Sequence, residues 1–178
     1  MEIKPEKMKY ILFLIFFINT NTIYSQPKNC FDIARKGTLD EIITEYSSNK
    51  KVIDSVDTNS TSMLILACYR GNDDVAKFLI EKKANIDYVS GNGTALMACV
   101  VKGNDEMANI LLKNKANPNL ADANGITVLM YAVQFQNEKI VHLLLENKAD
   151  KRITDKQGKT AFEYAVFSKN ELIINLLK

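Results

Sequence analysis
The side chains of this 178-residue chain that could do covalent or metal chemistry are few, and their spacing argues against each. There is one histidine, His142, and no Cys or Ser stands where it could share a nucleophile–base site with it. One histidine with three scattered cysteines (Cys30, Cys68 and Cys99) does not assemble the four-ligand set of a zinc site. The aspartates Asp57, Asp122 and Asp155 recur singly, in turn-like sequence, rather than as a paired acid and base. The seven glycines include no G-x-x-x-x-G-K phosphate cradle. With 23 Lys+Arg against 21 Asp+Glu the net charge is +2, too little basic excess for nucleic acid. No catalytic group, no metal and no cofactor is expected, and the function must come from surface.

The elements that position that surface begin after a targeting segment. Residues Ile11 to Ile18 form an unbroken apolar run, short of the ~20 residues a membrane span needs. Lys7 and Lys9 precede it, and a small residue, Ser25, follows. That order reads as a signal peptide over residues 1–25, with Met1 or Met8 as the start and cleavage after Ser25. Nothing before Cys30 supplies a lipobox. The remainder, residues 26–178, is then close to neutral and exported, to the periplasm or outside the cell, without stable membrane insertion.

That remainder repeats. Segments beginning at Asp57, Ser90, Asp122 and Asp155 align on one pattern, and the hydroxyls Ser62, Thr94, Thr127 and Thr160 recur at intervals of 32, 33 and 33 residues. The apolar pairs Phe78-Leu79, Ile110-Leu111, Leu143-Leu144 and Leu176-Leu177 keep the same spacing. A degenerate unit begins near Phe31. Each hydroxyl stands just before an apolar helical stretch, where it can cap free N–H groups. Gly71 and Gly103 fall between two helices, and the other glycines in turns. Ala67, Cys99, Ala132 and Ala165 recur where helices approach closely.

Period and pattern resemble the ankyrin repeat over residues 30–178. The resemblance implies an all-α solenoid of helix-turn-helix units with projecting turns, about five repeats, with units near 30–56, 57–89, 90–121, 122–154 and 155–178. The sequence departs from the family pattern at several places. Its Pro is replaced by Met63, Ala95, Val128 and Ala161, and its His by Ile65, Met97, Met130 and Glu163. The loss of that His removes a group that ties neighbouring turns, so softened joints are expected. Lys83, Lys115 and Lys148 replace the glycine of the G-A-D turn; if left-handed, each costs on the order of 1 kcal/mol. The unit at Ser90 is one residue short in its projecting turn, with Gly91 and Gly93 absorbing the difference.

In this arrangement His142 aligns with Lys77 and Asn109 on the outward side of a second helix. Cys68 and Cys99 fall on first helices of adjacent units. Helices pack about 8–10 Å apart, beyond the ~7 Å between Cα atoms that a disulfide tolerates, so both read as small buried residues. Cys30 is the more accessible thiol, free or paired between molecules. Asn59-Ser60-Thr61 and Asn92-Gly93-Thr94 fit the glycosylation acceptor pattern or simple turn chemistry.

The resemblance places the binding face on the projecting turns and the exposed side of the first helices. Mapped here, that face carries Tyr69, Arg70, Val101, Lys102, Ile126, Tyr131, Gln134, Phe135, Tyr164 and Phe167 as candidate protein-binding residues, with Asn59, Thr61, Gly93, Asn124, Gln157, Lys159 and Ser168 around them. Tyr131 and Tyr164 have a second reading, as packing residues between units. The expected function is a non-catalytic, monomeric module that binds a protein partner. An inhibitory or immunity-type protein that stabilises or neutralises one enzyme is the alternative. Leu172, Ile173 and Ile174 have little polar cover, so the last helix is expected to fray or to associate.

Overall fold
The computed structural model describes residues 28–178; the expected signal peptide and its cleavage point lie outside the described residues. Among the described residues ten helices form five helix-turn-helix pairs: α1 (Cys30–Lys36) with α2 (Leu39–Ser48), α3 (Met63–Arg70) with α4 (Asp73–Glu81), α5 (Ala95–Lys102) with α6 (Asp105–Lys113), α7 (Val128–Gln134) with α8 (Glu138–Glu146), and α9 (Ala161–Ser168) with α10 (Glu171–Leu177). A 3-10 turn, Lys50–Asp54, follows α2. Single bridges Val56–Ser62, Ser90–Gly93 and Ala121–Thr127 close three of the turns that project between pairs.

None of these helices reaches the ~12–15 residues that an isolated helix needs in water, so stacking holds them. The first helices lie in a row, and the second and third of them are buried almost all round: every residue from Met63 to Cys68, and from Ala95 to Val100, is buried. Ala67, Cys99, Ala132 and Ala165 have no exposed surface, which is what lets successive first helices approach. The second helices are amphipathic. α4 buries Val75, Ala76, Phe78, Leu79 and Ile80 and leaves Lys77 and Glu81 to solvent. Every substantial contact lies within a pair or between adjacent pairs. The architecture is the expected all-α repeat solenoid.

Helix starts follow the hydroxyl rule three times in four. Ser62 Oγ accepts the Ile65 N–H (3.3 Å), Thr94 Oγ1 that of Met97 (3.3 Å) and Thr127 Oγ1 that of Met130 (3.4 Å). At Thr160 the roles reverse. Its N–H donates to the Glu163 carboxylate at 2.7 Å, and its hydroxyl is turned to donate to the same oxygen. α3 and α5 end on left-handed Gly71 and Gly103 (φ 70° and 68°). One and two periods further on, Gln136 and Lys169 take that conformation with a side chain attached (φ 53° and 56°). Lys83, Lys115 and Lys148 are left-handed too (φ 67°, 71° and 66°), each at a cost on the order of 1 kcal/mol.

The joints between units are not left untied by the missing histidine. An asparagine precedes each of α4, α6, α8 and α10. Asn104 Nδ2 reaches back to Asp73 Oδ1 (2.8 Å), Asn137 to Asp105 Oδ1 (2.8 Å) and Asn170 to Glu138 Oε1 (3.3 Å). Asn72 donates to the Gly37 carbonyl at 2.9 Å. A second ladder runs along the far ends of the second helices. Asp54, Asp87 and Asn119 each accept, through Oδ1, the N–H of Asn85, Asn117 and Asp150 in the next unit (2.8, 2.8 and 2.7 Å). Backbone bonds also join the projecting turns, Lys156 N–H to the Asn124 carbonyl (3.0 Å) and Ala123 N–H to that of Gly91 (3.3 Å).

Candidate functional site
The repeat register sorts the groove side of the first helices into three rows. One row holds Leu66, Ala98, Tyr131 and Tyr164; the next Tyr69, Val101, Gln134 and Phe167; the third Arg70, Lys102, Phe135 and Ser168. Tyr69, Phe135 and Phe167 are 45 %, 52 % and 91 % exposed. Such aromatic surface has no role in the core and is costly to leave in water. Basic residues gather toward the first units and aromatic ones toward the last.

The projecting turns are braced by their aspartates. Asp122 Oδ1 accepts the N–H groups of Asn124 (2.7 Å) and Ile126 (2.9 Å), while Oδ2 accepts the Tyr131 hydroxyl (2.8 Å). Asp155 repeats this with Gln157, Lys159 and Tyr164 (2.8, 2.9 and 2.6 Å). In the first of these turns Asp57 accepts from Asn59 and Thr61, and its third donor is Arg35 Nη2 at 3.0 Å. Each carboxylate therefore meets three fixed donors.

The effect on the tyrosines is electrostatic. Burial pushes the Tyr131 hydroxyl from 10.0 up to about 12, and the bond to Asp122 and its charge add to the shift. For Tyr164 the bond to Asp155 leads, with burial behind it, again to about 12. Asp155 itself is held below the usual carboxylate range, chiefly by the Tyr164 hydrogen bond. The hydroxyls of both tyrosines brace turns, and the Tyr131 ring also lines the groove described next.

The unit at Ser90 breaks the rows. Its turn is one residue shorter, Ser90 stands where the aspartates stand, and Ala98 stands where Leu66 and Tyr131 stand. Ser90 Oγ accepts the Asn92 N–H (3.2 Å) and donates to the Gly93 carbonyl (3.0 Å), which closes the shorter turn without a partner from the helix. A groove of about 620 Å³ opens there, running from Arg35 and Asp57 past Asn92, Met97 and Ala98 to Tyr131 and Phe135. Five expected residues line it: Tyr69, Arg70, Val101, Tyr131 and Phe135. Lys102 stands at its rim, its Nζ 5.2 Å from the centre of the Tyr69 ring.

The other four lie elsewhere. Ile126 is half-buried in its turn. Gln134 is exposed, while Phe167 projects alone. Arg35, Met97 and Ala98 were not among the expected residues. The signal for Ala98 was present in the sequence, as a small residue in a column of large ones beside a shortened turn.

His142 is exposed on α8, with Nδ1 3.4 Å from Glu146. Cys68 and Cys99 are buried and unbridged. The neighbouring Cys99 side chain together with burial holds the Cys68 thiol well above the usual thiol range. Cys30 is half-buried, and burial raises it as well. Among the described residues no group of three His, Cys, Asp or Glu could hold a metal ion, and no helix is long and apolar enough to cross a membrane.

A family model described as ankyrin repeats (3 copies) matches residues 31–122 and again 112–178. No curated protein matches the chain.

Proposed function
Because the chain belongs to the ankyrin-repeat family, whose members are generally protein–protein interaction modules and typically non-catalytic, we propose that it is an exported, monomeric module that captures a protein partner along the face of first helices and projecting turns. The observation that carries this reading is the groove. It crosses four consecutive units, it is walled by the exposed Tyr69 and Phe135, and the turns above it are braced before any partner arrives. Rigid aromatic walls with an arginine beside them suit a binding hot spot, because little side-chain freedom is lost on contact. The basic, apolar and small-residue order of the first 25 residues supports export.

The test uses the full chain, expressed with a C-terminal tag in an exporting host. The reading expects recovered protein that begins at Gln26 and a saturable partner. Replacing Tyr69, Phe135 and Phe167 together by alanine should weaken capture by about a hundredfold or more and leave the melting temperature within a few degrees. Undiminished capture by the triple variant refutes the binding face; recovery of unprocessed chain from the cytoplasm alone refutes export.

A further inference from the structure
The charges around the groove are unequally satisfied. Its carboxylate, Asp57, meets two backbone N–H groups and Arg35. Asp122, whose tyrosine lines the far end, meets two N–H groups and that hydroxyl. The cations are different. Arg70 Cζ and Lys102 Nζ lie 5.9 and 5.2 Å from the centre of the same Tyr69 ring, both residues exposed. Among the described residues neither is within ion-pair distance of a carboxylate. The groove thus presents two unneutralised cations on an aromatic platform, with its own anions already bound.

Beside that platform Ile65, Leu66, Met97 and Ala98 line an apolar floor. Leu66 and Tyr131 occupy the register position that Ala98 holds in the middle unit. What the floor lacks is a side chain between leucine and tyrosine in size. Met97, Val101 and Phe135 surround the place, so the missing group is apolar.

We propose that the groove holds an extended acidic segment of a partner protein, with one leucine- or phenylalanine-sized side chain seated over Ala98 and flanking carboxylates on Arg70 and Lys102. The proposal rests on the reading of this face as a protein-binding surface and adds the chemistry of what binds. Two cations around one ring suit the local charge of a short acidic segment. A polynucleotide needs a run of cations along its track, and this chain carries a net charge of only +2.

The test is fluorescence anisotropy with the full chain and four probes: a short labelled peptide of Asp and Glu around one central Leu, the same peptide with Lys for every acid, the acidic peptide with Gly for Leu, and a single-stranded oligonucleotide. The acidic Leu peptide should bind about tenfold or more tighter than each of the others. R70E/K102E should weaken it about tenfold and strengthen the lysine peptide. A98F should weaken it about tenfold by filling the floor. If A98F melts early, A98L serves instead, since leucine already stands in that row at Leu66. Equal or tighter binding of the lysine peptide or the oligonucleotide overturns the proposal, and so does an acidic peptide indifferent to R70E/K102E. The broader reading fails separately. If the alanine triple variant loses its partner while R70E/K102E keeps it, the face stands and the acidic class falls; if the alanine variant also keeps it, the face itself falls.

Discussion
A tyrosine hydroxyl nine residues from an aspartate decides how firmly a projecting turn is held. Tyr131 and Tyr164 donate to Oδ2 of Asp122 and Asp155, and each aspartate uses its other oxygen on two backbone N–H groups. Replacing either tyrosine by phenylalanine keeps the ring and removes the charge-assisted bond, at a cost on the order of 1 kcal/mol in these partly exposed settings. The pH dependence follows from the same bonds. The folded state holds the phenol protons more tightly than the unfolded chain, whose tyrosines titrate near 10.0, so this stabilisation is whole below pH 10 and fades between pH 10 and about 12. Melting curves of the double Tyr→Phe variant at pH 8 and pH 11 check this: the gap to the parent protein should narrow at the higher pH, and a constant gap contradicts it. Sequence alone marked these aspartates as turn residues, because Asp followed by Asn-Gly or Gln-Gly is turn chemistry. It left the tyrosines divided between packing and binding, because a bond across nine residues exists only once the helix has stacked behind the turn.

Helix ends show where local sequence is a sufficient guide and where it is not. The caps at Ser62, Thr94 and Thr127 were legible as hydroxyls before apolar stretches. The cap at Thr160 was not, because Glu163, in the place of the family's histidine, offers a stronger acceptor three residues on. The softened joints expected from that missing histidine are countered by the asparagines before the second helices. Asn137 serves twice: Oδ1 caps the Ile140 N–H at 3.1 Å, and Nδ2 ties back to Asp105. Asn137→Ala should therefore cost about 2 kcal/mol, and Asn137→Ser, which can cap but not reach back, about 1 kcal/mol. Urea unfolding distinguishes them, and equal losses would mean that the tie between units contributes nothing. The recurrence of these asparagines at one period was visible in the sequence, but their reach into the preceding unit depends on how the pairs stack.

At the scale of the whole molecule, the described residues form a row of units that stabilise only their neighbours, so among them the first and last pairs each pack against one neighbour. The last pair shows the effect. α9 and α10 bury only Ala161, Ala165, Ile173 and Leu177, and Leu172 is 61 % exposed. Amide exchange should be about tenfold or more faster in α9 and α10 than in α5 and α6; equal protection would show that the end pair is held as firmly as the middle. The architecture at this scale was almost fully legible, because four copies of one pattern fix the pair, the period and the burial at once. The groove was only half legible, because it comes from an absence, a short turn beside Ala98, and a pattern-matching eye follows what repeats. The row has one more consequence, for a molecule under tension. Among the described residues no substantial contact joins the first pair to the last, so a pull along the axis meets the joints one after another. Each joint that gives way would pay out about one period of chain, on the order of 100 Å when extended. A partner anchored in the groove would bridge four units, and in that stretch the molecule would resist as a single block instead of yielding link by link.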